Sequence, residues 1–227
     1  MNQNLIYYLV YAILYGIILL MGEGMYRYFN LPEGQTRNFS HLSAGLVSLA
    51  YPWVFTSHWW VLLLAAQSSA ILLLTRSAGW FPSHHKSAGR SWGSPLFFVS
   101  LYLCFLAYTF TRDVIYFLLP VLILTFSDML ASMVGRNFGT PPPVPWRKWM
   151  AQGKTFQGSA AFLGSALCIA VMMFYLTGRW TPGASLLAGT GLALFTSVTE
   201  AVASRGYDNF FIPAITLIIL FLYSYLI

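Results

Sequence analysis

Charge is what this sequence has least of. Six acidic and twelve basic side chains are spread over 227 residues, so only 8% of the chain is charged, against about a quarter in soluble domains. That scarcity excludes an ordinary water-soluble domain. Cysteine is almost as rare. Cys104 and Cys168 sit inside apolar runs, with no CxxC spacing and no neighbouring histidine pair. A disulfide framework and a zinc site are thereby excluded, and both residues read as packing. There is no low-complexity tail, no clear internal repeat and no soluble basic module. The net charge of +6 therefore does not point to nucleic acid. The first apolar segment lacks a basic leader and a small-residue cleavage site, so it is expected to be retained.

What the chain has in excess is apolar sequence. Hydrophobic residues make up 58% and the mean hydropathy is +0.66. The runs are long and continuous rather than alternating, which in a membrane means helices. The expectation is an all-α, polytopic transmembrane bundle of about eight helices, forming one integral membrane domain over residues 1–227. The spans fall near Leu5–Met21, Leu42–Phe55, Trp59–Leu74, Pro95–Phe110, Val114–Met133, Ser159–Thr177, Ala184–Ala203 and Phe210–Ile227. The second is the shortest for a hydrocarbon core about 30 Å thick.

Charge placement tests that layout. With the N-terminus outside, Arg27, Arg37, Arg76, Lys86, Arg90, Arg136, Arg147, Lys148, Lys154 and Arg205 all fall in inner loops. Only Arg112 and Arg179 fall outside. Ten against two is a strong positive-inside bias, and an even number of crossings puts the C-terminus outside as well. The expected setting is a bacterial inner membrane, with a basic inner face suited to anionic lipids and phosphorylated ligands.

Acids inside lipid are costly, so each needs a reason. Asp128 lies toward the inner end of the fifth span in SDMLASMVGRNFG, where Ser132 and Gly135 share its helix face. Gly135, Arg136, Asn137 and Gly139 follow, where glycines let backbone N–H groups approach an anion. The same GxxxG spacing equally marks a helix-packing face. A proline run and the Trp146-Arg147-Lys148-Trp149 anchor separate this segment from Gly153-Lys154-Thr155-Phe156-Gln157-Gly158-Ser159. Lys148 occupies the position where a P-loop needs its first glycine, and no strand precedes it, so a P-loop is rejected. A lysine at a helix N-terminus is still a sound phosphate cradle. The third cluster is Thr199-Glu200 through Arg205-Gly206-Tyr207-Asp208-Asn209. Oxygen donors from Asp128, Glu200, Asp208 and Asn209 suit Mg²⁺, which takes few protein ligands and leaves the rest to phosphate and water.

The segments SDMLASMVGRNFG, GKTFQGSAAF and TEAVASRGYDN resemble, in order and spacing, the polyprenol kinase family, which includes dolichol, phytol and farnesol kinases and CTP-dependent diacylglycerol kinase. Arg37-Asn38-Phe39-Ser40-His41 and Arg90-Ser91-Trp92-Gly93-Ser94 are similar to two further motifs of the family. Asn38 stands where relatives often carry a second basic residue. The resemblance covers Arg37 to Asn209, with the catalytic motifs in residues 128–209.

The resemblance implies transfer of the γ-phosphoryl of CTP, or another nucleoside triphosphate, to a lipid alcohol at the cytoplasmic face. Asp128 and Asp208 would hold Mg²⁺, with Glu200 as third ligand or base. Lys154, Arg136 and the 135–139 backbone would stabilise phosphates, together with Thr155, Gly158 and Ser159. Arg37, His41, Arg90 and Arg205 would contact the triphosphate or base. Related motifs occur in phosphatidate cytidylyltransferases, which attack the α-phosphorus of CTP instead. The short Ser204–Asn209 segment resembles the kinase version. A transporter also keeps acids near broken helices, but here the acids gather on one side rather than at the midplane. Which alcohol is used, and the oligomeric state, are not legible in the residues.

Overall fold

A computed structural model describes residues 3–85, 91–178 and 180–226. Among them every regular element is helical. The elements are α1 (Gln3–Tyr28), α2 (Glu33–Ser48), α3 (Tyr51–Val54), α4 (His58–Ser77), α5 (Pro82–His85), α6 (Gly93–Thr111), α7 (Ile115–Leu122), a π-turn (Ile123–Ser127), α8 (Asp128–Phe138), α9 (Val144–Arg147), α10 (Phe156–Leu176), α11 (Pro182–Val202) and α12 (Asp208–Leu226). Seven segments among the described residues are long and apolar enough to cross a membrane, with α7, the π-turn and α8 counted as one. The chain is thus a polytopic helical bundle. It folds as two compact units, the first ending at Phe117 and the second beginning at Leu118.

The expected second span is the exception to the count. It is not one apolar helix but α2 followed by the single turn α3. The helix begins nine residues earlier than the apolar run, in the polar stretch from Glu33. Pro52, near the start of α3, has no N–H to continue the α2 ladder, so the helix breaks there. Together α2 and α3 nonetheless run antiparallel to α1 along its length. At one end Thr36 Oγ1 donates to the Ser83 carbonyl (3.2 Å) while Ser83 Oγ donates to Glu23 (2.6 Å). At the other end Asn4 and Thr56 exchange two hydrogen bonds of 2.8 and 3.0 Å. Between them Tyr15 meets Ser48 (2.9 Å) and Tyr51. The Tyr51 ring lies against Tyr11, Phe55, Phe105 and Phe117. This aromatic cluster is the core of the first unit, which also buries Cys104.

In the second unit α10 packs on α11, α8 and the π-turn, and α12 packs on α11 and the π-turn. Close approach is written in small residues. A Cβ on Gly189 of α11 would lie 2.6 Å from Val171 of α10. The helices start on defined caps: Thr155 accepts from the Gly158 N–H (3.1 Å) and Thr181 from the Ala184 N–H (3.3 Å). Large apolar side chains such as Leu187 and Phe195 point outward, as hydrocarbon-facing surfaces require.

Candidate active site

The polar chemistry of the second unit gathers at one end. There α8 and α11 finish and α10 and α12 begin. Three connections draw these ends together. The Ala151 N–H donates to the Ala201 carbonyl at 2.8 Å, tying the loop before α10 to the last turn of α11. Gln157 brackets Thr140, its Nε2 donating to Thr140 Oγ1 (2.9 Å) and its Oε1 accepting from the Thr140 N–H (3.2 Å). Thr155 fills the space beside Gly135 and Gly139, so α8 ends against the start of α10.

Inside this frame lies a cation held by two carboxylates. Lys154 Nζ donates to Glu200 Oε1 at 2.6 Å and to Asp208 Oδ2 at 2.9 Å. Ser159 Oγ donates to the other Glu200 oxygen at 2.9 Å, and Ser197 Oγ caps the Ser159 carbonyl at 3.3 Å. Asp208 Oδ1 accepts from the Asn209 N–H at 3.0 Å. That carboxylate therefore sits at the positive end of α12, where a negative charge is favoured. The Glu200 side chain is only 2% exposed and Asp208 12%, against 21% for Lys154. Burial works against the ammonium, but attraction from Asp208, Asp128 and Glu200 outweighs it and holds Lys154 above the usual lysine range. Asp128, half-buried at the start of α8, thus belongs electrostatically to the same cluster.

The expected phosphate cradle has a second physical content. The Cβ positions of Gly135 and Gly158 would lie 3.0 and 3.1 Å from Thr155 Oγ1, and that of Gly158 only 2.8 Å from the Ala131 carbonyl. A Cβ on Gly139 would run into the Gly135 carbonyl. These three glycines let α8 and α10 touch, and the Thr155 hydroxyl is committed to its cap. Arg136 and Asn137 are exposed at the end of α8. Arg205 is exposed too, in left-handed backbone at φ 57° beside Gly206 at φ 83°, which forms the tight turn delivering Asp208. Arg37 and His41 lie on α2 in the first unit, where the His41 ring packs 4.5 Å from Phe97. Arg90, like Lys86 and Arg179, lies outside the described residues.

Every donor expected to serve a metal is an oxygen, the donor chemistry that Mg²⁺ takes, and two of the three carboxylates are engaged by Lys154. Among the described residues no group of three or more His, Cys, Asp and Glu side chains is placed as a ready metal cage. Any divalent ion would draw its remaining ligands from phosphate and water.

Two features escaped the sequence. Glu23 is a further acid inside a crossing, since α1 runs past Met21 to Tyr28. Its buried carboxylate takes Ser83 and Arg27 as partners, and the i, i+4 spacing of Glu23 and Arg27 was the available signal. The π-turn before Asp128 had none, beyond Pro120 in α7.

No family model matches the chain, and no solved structure matches it. The sequence is similar to a curated phytol kinase from Synechocystis sp., at 23% identity over 213 residues, spanning 93% of this chain and 88% of the relative. This near-full-length likeness to a phytol kinase agrees with the resemblance that the three motifs carry, and the lysine and two acids of those motifs meet in one unit.

Proposed function

We propose that this protein is a membrane kinase that moves the γ-phosphoryl of a nucleoside triphosphate, CTP in the first instance, onto the hydroxyl of a lipid alcohol. Phytol, farnesol, geranylgeraniol, dolichol and diacylglycerol are the candidate acceptors. The observation that carries the reading is Lys154 seated between Glu200 and Asp208. It lies at a helix-terminal end of the second unit, in a chain similar to a phytol kinase.

Phosphoryl transfer is governed by positioning and charge neutralisation. Lys154, held charged by its neighbours, is a point charge for the terminal phosphates. Exposed Arg136 and Arg205 extend that positive surface toward water. Asp128 and Asp208 would hold Mg²⁺, with Glu200 as third ligand or base. The ion, when bound, neutralises charge on the phosphate oxygens. Ser159 fixes one Glu200 oxygen and so sets the carboxylate's orientation. In the transfer the alcohol oxygen forms a bond to the γ-phosphorus and its proton passes to a carboxylate. The bond to the bridging oxygen breaks, and that electron pair leaves with the nucleoside diphosphate. The tail of the alcohol stays in hydrocarbon, with its hydroxyl at the cytoplasmic interface.

The test is product analysis. Purified protein is incubated with CTP, Mg²⁺ and each alcohol in mixed micelles, and lipid products are read by mass spectrometry. A lipid monophosphate from at least one alcohol is expected. A CDP-linked lipid from phosphatidate, with no monophosphate, would replace this reading by the cytidylyltransferase one.

A further inference from the structure

Residues 139–155 join two membrane crossings of the second unit, one ending at Phe138 and the next opening at Phe156. This segment holds Arg147, Lys148 and Lys154 and no acid; the nearest acids on either side in sequence are Asp128 and Glu200. Lys154 is engaged by Glu200 and Asp208. Arg147 and Lys148 are exposed, and neither joins an ion pair among the described residues. Large rings stand beside these charges. Trp146 is 55% exposed and Trp149 74%, and Phe138 and Phe156, at the two crossing ends, are exposed as well.

Backbone bonds make the segment a short amphipathic wedge. The Arg147 N–H donates to the Pro143 carbonyl and the Met150 N–H to the Trp146 carbonyl, both at 3.1 Å, so helical winding runs from Pro143 to Met150. At about 100° per residue, Trp146, Trp149 and Met150 share one side, while Arg147 and Lys148 leave on the other. The Trp146 ring meets Phe156 edge-on at 5.8 Å, which seats the wedge against the first turn of α10. Rings on one side and cations on the other suit the boundary between hydrocarbon and headgroups. Two cations without a carboxylate find their complement in anionic headgroups, which a zwitterionic surface does not supply. The wedge also reaches the ion pair. Ala151, the next residue, donates its N–H to the Ala201 carbonyl (2.8 Å) and accepts from the Lys154 N–H (3.1 Å). Ala201 directly follows Glu200, so one residue holds the backbone of both halves of the Lys154–Glu200 pair.

We propose that residues 146–151 bind the headgroups of anionic phospholipids, and that seating this wedge on an anionic surface holds Lys154 and Glu200 in register, so that transfer depends on the surrounding lipid. Arg147 and Lys148 pair with lipid phosphates, and Trp146 and Trp149 lie at the upper edge of the hydrocarbon. The two cations act on the site through the backbone of Ala151 and touch neither nucleotide nor acceptor. The coupling to transfer rests on the kinase reading; the headgroup site does not.

The test places purified full-length protein in phosphatidylcholine nanodiscs containing increasing fractions of phosphatidylglycerol. Melting temperature and transfer from CTP to phytol are read in each. In the parent both are expected to rise with phosphatidylglycerol. Removing two headgroup-facing cations amounts to roughly thirtyfold in affinity, so Arg147→Gln with Lys148→Gln should lose both responses while matching the parent in phosphatidylcholine alone. The charge-keeping Arg147→Lys with Lys148→Arg should respond like the parent, and soluble glycerol phosphate should reproduce neither response. Equal melting of the parent across the series, an undiminished response in the glutamine variant, or full stabilisation by glycerol phosphate overturns the headgroup site. Stabilisation by phosphatidylglycerol with transfer unaltered overturns the coupling alone. If the parent transfers nothing in any disc, the kinase reading and the coupling fall together, and the melting series alone upholds or overturns the headgroup site.

Discussion

Lys154 Nζ donates to Glu200 Oε1 across 2.6 Å of space and 46 residues of sequence, closing the start of α10 onto the end of α11. With Asp208 as the second acceptor at 2.9 Å, one ammonium neutralises acids brought in by two other helix ends. The nearest basic residue in sequence to Asp208 is Arg205, yet Arg205 is turned outward in left-handed backbone. The partner came from another cluster altogether.

This ion pair is the first target. Lys154→Met leaves the Glu200 carboxylate, 2% exposed, without its counter-charge. Removing one member of a buried pair costs about 3–5 kcal/mol, so the variant should melt markedly lower in detergent and lose transfer. Adding Glu200→Gln should recover part of the stability but none of the activity. Additive losses in the double variant would show that the two side chains are not coupled.

The pH dependence has a definite sign. Asp208, Asp128 and Glu200 outweigh burial and raise the Lys154 value in the folded protein. Its contribution to stability is therefore whole below the ordinary lysine value of about 10.4 and falls only as pH rises through the higher folded value. Melting temperatures should owe no decline to Lys154 between about pH 7 and 10. A decline in that window that disappears in Lys154→Met would contradict the raised value.

Two glycines of α10 should respond oppositely to alanine. A Cβ at Gly158 would sit 2.8 Å from the Ala131 carbonyl, whereas one at Gly164 meets nothing within 4 Å. Gly158→Ala should cost about 1–3 kcal/mol through forced separation of α8 and α10, and should lower activity with it. Gly164→Ala should be neutral or slightly stabilising, by up to about 1 kcal/mol. Thermal melts of the two variants give the comparison directly.

How much was legible in residues follows from how local each signal is. Seven of the crossings are continuous apolar runs whose positions were readable in outline, although α1 runs seven residues past its expected end at Met21. The second was not, because α2 opens with Glu33, Gln35, Thr36 and Arg37 and breaks at Pro52. Its stabilising contacts, Tyr15 with Ser48 and Tyr51, are tertiary. Glu200 was legible as a costly acid inside a span, and Lys154 and Asp208 as polar residues at helix ends. Their convergence was expected from charge placement alone. The double duty of Gly135, Gly139 and Gly158 was visible only as an ambiguity between anion cradle and packing face. The close approach of Thr155 and Ala131 shows the packing half of it. The π-turn carries no sequence signal, because it depends on how neighbouring helices fit.

Sidedness is tested by cysteine labelling. Single cysteines introduced near Arg90, Lys148 and Arg205 in an otherwise cysteine-free chain should be blocked from outside intact cells and react after permeabilisation. The ten-to-two division of basic residues predicts that all three loops lie inside. Labelling of any one from outside would break the common cytoplasmic face.

The measurement that bears most directly on the central claim follows two labels through one reaction. Purified protein receives CTP labelled at either the γ- or the α-phosphorus, with Mg²⁺ and phytol or phosphatidate as acceptor. Asp128→Asn and Asp208→Asn serve as paired variants that retain membrane insertion. A kinase centred on Lys154, Glu200 and Asp208 puts the γ-label on phytol, releases CDP, and falls silent in both variants at saturating Mg²⁺. Appearance of the α-label on phosphatidate with release of pyrophosphate, or full γ-transfer by the Asp208→Asn protein, would contradict the account.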